Sequence, residues 1–198
     1  MLFRSQEIVD DAQAEIDDAK AELEEGKLKA LIVTGCLAQR YQQEILDEIP
    51  EVDAVLGTTS YDKITEAVEE ALAGNGHVEV TDINALPLVD EKRLVTTGGH
   101  FAYLKIAEGC DKHCTYCIIP SLRGKFRSVP EERLLKQAEY MASQGVRELI
   151  LVAQETTVYG TDLYGKKTLH ILLKKLCQIK GIRWIRVLYC YPEEIYDE

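Results

Sequence analysis

Cys110, Cys114 and Cys117 fall within one short stretch, Glu108-Gly-Cys-Asp-Lys-His-Cys-Thr-Tyr-Cys-Ile-Ile-Pro120, with C-x3-C-x2-C spacing. Most iron–sulfur clusters are held by four cysteines. Three closely spaced thiols with no fourth nearby suggest a [4Fe–4S] cluster with one iron left open, where a small molecule can be ligated and reduced. The alternative is structural zinc, because His113 lies inside the loop and Cys3His is a common zinc set. Against it, His113 directly precedes Cys114, so its ring would have to turn back onto the metal bound by its neighbour. Zinc pairs also more often come as C-x2-C or C-x4-C with a second pair further along. A disulfide reading is weaker: six cysteines without an apolar secretory segment point to a reducing cytoplasm.

Such a loop needs a scaffold, and the pattern around it is α/β. Phe101–Ala107 reads as a strand leading into the thiols. Ser128 and Glu131 have capping-box spacing, with Pro130 in the first turn of a helix that carries Leu134, Ala138 and Met141 on one face and stops at Gly145. A strand over 148–153, a leucine-rich helix over 168–180 and a strand over 183–189 follow. Three β/α steps make the opening half of a β/α barrel, where chemistry sits at the C-terminal ends of strands. Stopping there would leave an open sheet edge, so the chain reads as part of a longer protein, inactive by itself.

The first half reads as part of an open parallel α/β sheet. An amphipathic helix is expected over 5–27, with Ile8, Ala12, Ile16, Ala19 and Leu23 at helical spacing. A strand over 29–34 ends at Gly35-Cys36. A helix around 39–48, a strand over 52–56 and a helix over 60–72 come next, and the alternation implies right-handed parallel crossovers. The expected organisation is 1–82 as one domain, 83–100 as linker and 101–198 as the barrel portion. Charge divides similarly: residues 1–100 carry 8 basic against 22 acidic side chains, and residues 101–198 carry 15 against 12. The acidic half argues against direct nucleic-acid binding and suits a basic protein partner. No stretch approaches the roughly 18 apolar residues of a membrane span.

From Gly109 to Gly124 the sequence closely resembles the methylthiotransferases, radical S-adenosylmethionine enzymes that insert sulfur and methyl into an unactivated C–H bond. The resemblance extends to Val33-Thr-Gly-Cys-Leu-Ala-Gln-Arg40 and Asp53-Ala-Val-Leu-Gly57. Val152–Asp162 and Arg186–Glu194 resemble the branch acting on an aspartate of small-subunit ribosomal protein S-twelve. The tRNA-modifying branch typically has Gly-Gln-Asn-Val-Asn-type residues where Ala153-Gln-Glu-Thr-Thr157 stands. That branch, or a non-catalytic zinc-stabilised interaction domain, is the competing reading.

The resemblance implies that Cys110, Cys114 and Cys117 bind the radical-generating cluster and that S-adenosylmethionine occupies its open iron. One electron would then break a C–S bond of the cofactor and release a 5′-deoxyadenosyl radical. The electron donor would be of flavodoxin or ferredoxin type, and the partner ribosomal protein S-twelve or the small ribosomal subunit. Tyr116 is expected against the adenine, or as loop packing. Gln154 and Thr156 would meet cofactor or substrate, or cap loop backbone. Cys36 matches the last of three cysteines that hold an auxiliary [4Fe–4S] cluster, the second cluster of the full-length protein. The other two are absent upstream of it here. Cys177 is expected to be a packed thiol, and Cys190 structural or facing the barrel mouth. Arg123, Lys125 and Arg127 form a basic patch beside the loop, ordering it or meeting an acidic group. Val129 stands where the family usually carries Arg. No Walker-type loop, G-x-G-x-x-G or Ser/His/Asp set is present.

Overall fold

The computed structural model describes residues 21, 26, 28–85, 94–96 and 98–195. The helix expected over 5–27 lies outside them apart from Ala21 and Gly26. The chain forms two compact units, Met1–Thr81 and Asp82–Glu198.

In the first unit β1 (Ile32–Thr34), β2 (Ala54–Leu56) and β3 (His77–Glu79) form a parallel sheet in that order. All three residues of β2 are buried, as a central parallel strand covered on both faces requires. The helix expected over 39–48 is two helices, α1 (Cys36–Tyr41) and α2 (Gln43–Glu48), broken at Gln42 with φ +45°. No helix-breaking residue type marks that point, so propensity gives no warning of it. A non-glycine residue held there costs about 1–3 kcal/mol, set against burial of Ala38 and Gln39 before the break and Ile45 after it. A 3-10 turn (Tyr61–Lys63) leads into α3 (Ile64–Leu72), which buries Ala67 and Ala71. β3 escaped the sequence reading because three half-buried residues carry too little periodicity.

The second unit is built on β4 (Phe101–Lys105), β7 (Glu148–Val152) and β8 (Trp184–Val187), parallel and in that spatial order. Two further strands, β5 (Ala107–Glu108) and β6 (Arg127–Ser128), pair antiparallel and pinch the ends of the cysteine loop together. The crossover helices are α5 (Glu131–Ser143) and α7 (Leu169–Leu176), with short helices α4 (Ile119–Arg123) and α6 (Thr161–Tyr164) in the loops. Leu134, Ala138 and Met141 are fully buried against Leu104, Leu149, Leu151, Leu172 and Leu176. Each leucine or methionine among them contributes roughly 1.5–3 kcal/mol by leaving water. This is the opening part of a β/α barrel.

Three expectations are corrected. The capping box does not form: Ser128 belongs to β6, its N–H donates to Asp162 (2.8 Å), and its hydroxyl accepts from the Gly160 N–H (2.9 Å). Pro130 is the N-cap itself. Cys177 is exposed rather than packed, because α7 ends at Leu176 and the next position turns off its leucine stripe. Residues 84 and 85, read as linker, are fastened within the second unit: Asn84 accepts from the Lys125 N–H (3.0 Å), and the Ala85 carbonyl accepts from Arg127 (3.0 Å).

Candidate metal centre

The cysteine loop begins where β5 ends. Gly109 has φ +78°, and a side chain there would collide with the carbonyl oxygens of Gly124 and Lys125. Glycine is therefore dictated by both the left-handed backbone and the close approach of the loop's returning arm. Glu108 is buried and pairs with Lys105 and with Arg123 (3.5 Å). The Gly109 N–H donates to Gln154 Oε1 (2.9 Å), the Cys110 N–H to the Gly124 carbonyl (3.2 Å), and the Phe126 N–H to Asp111 Oδ1 (3.0 Å). Arg127 is buried and donates to the carbonyls of Arg123, Lys125 and Ala85. The expected basic patch is thus a clamp: Arg127 serves backbone and Arg123 serves Glu108.

Cys110 is buried, Cys114 and Cys117 are half-buried, and all three are free thiols. A turn brings the Cys117 N–H to the Cys114 carbonyl (3.0 Å). Burial raises the Cys110 pKa, partly offset by the Lys112 N–H on its sulfur (3.4 Å), while Glu155 and the other two thiols push it up further. Mutual repulsion of that kind is what a cationic cluster relieves. Among the described residues, no three of His, Cys, Asp and Glu converge as ligands of one ion. A four-iron cluster asks for something different, since each thiolate takes its own iron and the sulfurs stand apart. Three soft thiolates on one loop fit it by chemistry.

A cavity of about 220 Å³ adjoins Cys110, walled by Asp111, Lys112, Phe126, Glu155 and Glu194 among others. Glu155, just past β7, is almost fully buried; its Oε1 accepts from the Thr157 N–H (3.0 Å) and hydroxyl, whereas its Oε2 has no hydrogen bond. The nearest cation is Lys112, at 3.5 Å from that oxygen. Sequence reading passed over Glu155, Lys112 and Glu194. Glu155, next to Gln154 at a strand's C-terminal end, was the one with a positional signal.

The other expected residues separate. Thr156 is fully buried and its hydroxyl lies 2.7 Å from the Leu188 carbonyl and 3.1 Å from that of Tyr189, so it caps loop backbone. Gln154 braces the loop entry. Tyr116 is 92% exposed. Cys190 is exposed, 3.4 Å from the Thr156 hydroxyl. Cys36, in the first unit, is half-buried at the start of α1.

Residues 104–197 match the family model of the Radical SAM superfamily. Among curated proteins the chain is 64% identical over 173 residues to the ribosomal protein uS12 methylthiotransferase RimO of Lachnoclostridium phytofermentans, covering 87% of this chain and 39% of that protein. It is 54% identical to the RimO of Clostridium perfringens over 171 residues, covering 86% and 38% respectively. For the RimO of Clostridioides difficile the identity is 51% over 173 residues, covering 87% and 39%. The chain thus spans about two fifths of the length of these relatives. With a superfamily match spanning the thiol loop and β/α unit, and these identities running through both units, the chain is similar over most of its length to the RimO methylthiotransferases.

Proposed function

We propose that the polypeptide containing this chain is a RimO-type methylthiotransferase that adds a methylthio group to an aspartate of ribosomal protein S-twelve. The observation that carries this reading is the loop of three free thiols at the C-terminal end of β4, beside a cavity walled by charged side chains. Cys110, Cys114 and Cys117 would hold a [4Fe–4S] cluster. When bound, that cluster supplies the electron that cleaves S-adenosylmethionine and so opens an unactivated C–H bond to substitution. The residues around it bind and shield. Glu108 and Arg123 fix the loop entry, Gln154 holds the Gly109 N–H, and Glu155 lines the cavity with a carboxylate oxygen that has no hydrogen bond and faces Lys112.

In the first unit Cys36 would be one ligand of an auxiliary cluster, a second [4Fe–4S] group in the full-length protein. Tyr116, already exposed, is free to close over a bound adenine. The electron would come from a flavodoxin- or ferredoxin-type protein. A cytoplasmic setting suits free thiols and a ribosomal substrate, and no helix among the described residues is long and apolar enough to cross a membrane. The test is anaerobic iron–sulfide reconstitution of the chain, followed by metal analysis and absorbance with and without S-adenosylmethionine. About four irons per chain and a spectrum altered by S-adenosylmethionine are expected. Stoichiometric zinc without iron would overturn the reading in favour of a structural metal domain.

A further inference from the structure

The segment between Glu108 and Ile119 contains no helix or strand, yet all three thiols are on it. Its entry is fixed by β5, Glu108 and Gly109, and its exit runs into α4. Between Cys110 and Cys114 one side chain reaches across to the ends of the other strands. Lys112 Nζ lies 3.1 Å from Glu194 Oε1, 3.5 Å from Glu155 Oε2 and 3.6 Å from Glu193 Oε1, and 4.0 Å from the centroid of the Tyr191 ring. These partners come from two separate loops, the one after β7 and the one after β8.

Two features distinguish this contact from an ordinary surface ion pair. Its Glu155 side chain is only 2% exposed, and the Glu155 oxygen facing Lys112 has no hydrogen bond, so the ammonium is its compensation. Removing one partner of a buried charge pair leaves the other uncompensated, which costs far more than losing an exposed pair. Glu194 is also anchored from its other side, since Lys167 Nζ donates to its Oε2 (2.7 Å) and to its backbone carbonyl (2.9 Å). The ammonium therefore sits against a carboxylate that a second lysine holds in place.

We propose that Lys112 is a positioning residue, a latch that holds the Cys110–Cys114 arc against the ends of β7 and β8 and so sets the seat of the cluster. The inference deepens the proposed function and rests on its assignment of the three cysteines as ligands. Because the latch works through charge, Lys112→Arg retains it and Lys112→Met, of similar length, releases it.

The experiment compares the intact parent chain with Lys112→Met and Lys112→Arg in two arms. The first needs no iron: hydrogen–deuterium exchange of the apo chain. In Lys112→Met, exchange across 109–118 and 190–195 rises about tenfold while β4 and β7 keep their protection, and Lys112→Arg stays near the parent. Unchanged exchange in Lys112→Met, or an equal rise throughout the unit, would overturn the latch. The second arm measures how fast a chelator strips iron from the reconstituted chain, with the electron paramagnetic resonance spectrum of the reduced cluster. Lys112→Met loses iron about tenfold faster with an altered spectrum, and Lys112→Arg restores both. An unchanged rate and spectrum would overturn the proposed role at the cluster. A parent chain that takes up no iron sinks the ligand assignment instead, and the exchange arm then decides alone whether the latch exists.

Discussion

The two units present the same topological feature, the C-terminal rim of a parallel sheet, and equip it differently. In the first unit the rim is closed on itself. Gln39 Oε1 accepts from the Thr58 N–H (3.0 Å) and lies 3.2 Å from its hydroxyl, while the Thr81 hydroxyl bonds those of Thr59 (2.8 Å) and Ser60 (3.1 Å). In the second unit the rim carries three thiols, a buried carboxylate with one oxygen that is ion-paired but not hydrogen-bonded, and a cavity beside them. A rim position is where ligands sit in open α/β folds. What sets the second rim apart is the thiols and charge gathered there.

That contrast predicts its own largest effect. Cys114→Ala removes one of the three proposed ligands and should lower both iron uptake and the S-adenosylmethionine-dependent change in absorbance of the reconstituted chain about tenfold, because ligands of one group act as a unit. Cys36→Ala and Cys177→Ala should leave both unchanged, one lying outside the thiol loop in the first unit and the other an exposed thiol at a helix end. Iron assay and absorbance check this together. Equal loss in Cys114→Ala and Cys177→Ala, with folding preserved, would erase the distinction between the two kinds of cysteine.

A smaller effect comes from two glycines with the same backbone angle. Gly74 in the first unit and Gly109 in the second both have φ +78°, but a Cβ on Gly74 meets open space and one on Gly109 meets the returning backbone of the loop. Gly74→Ala should cost only the left-handed penalty, about 1–2 kcal/mol. Gly109→Ala adds a backbone collision and should cost about 2–4 kcal/mol, or open the β5–β6 pinch. Urea unfolding followed by circular dichroism for the first, and by the fluorescence of the single tryptophan, Trp184, for the second, would measure both. Similar losses would show that the loop arms can part.

The same physics explains what could be read beforehand. The thiol spacing and the strand before it are local, and so were legible; so was α5, whose Leu134, Ala138 and Met141 repeat over about two turns. The unforeseen features depend on residues far apart in sequence. Ser128 bonds Asp162 and Gly160 instead of capping its own helix. For Thr156 and Arg127 the sequence leaves two roles open, and only the fold brings up the carbonyls that choose between them. Lys112 meets Glu155 and Glu194 across 43 and 82 positions, and no spacing rule spans such separations.

The mildest prediction uses ionisation to separate the units. The second buries a phenol completely: Tyr159 is 0% exposed and its hydroxyl donates to the Val129 carbonyl (2.8 Å). Tyr41 and Tyr61 in the first unit are exposed. Burial pushes the Tyr159 pKa well above the ordinary phenol value, with nearby acidic groups adding to the shift. A raised folded-state pKa means the native state keeps its proton longer than the unfolded chain does. The associated stability is fully present below about pH 10, the value for a free phenol, and is lost as pH climbs from there toward the folded pKa. Tyr159→Phe keeps the ring and removes the hydroxyl, leaving the Val129 carbonyl without that donor. It should cost about 1 kcal/mol at neutral pH and flatten the alkaline loss. Urea midpoints read from Trp184 between pH 8 and pH 11, a window set around the ~10 of a free phenol, would test both slopes. If Tyr159→Phe loses stability with pH as steeply as the parent, the alkaline sensitivity of the second unit arises elsewhere than in its buried phenol.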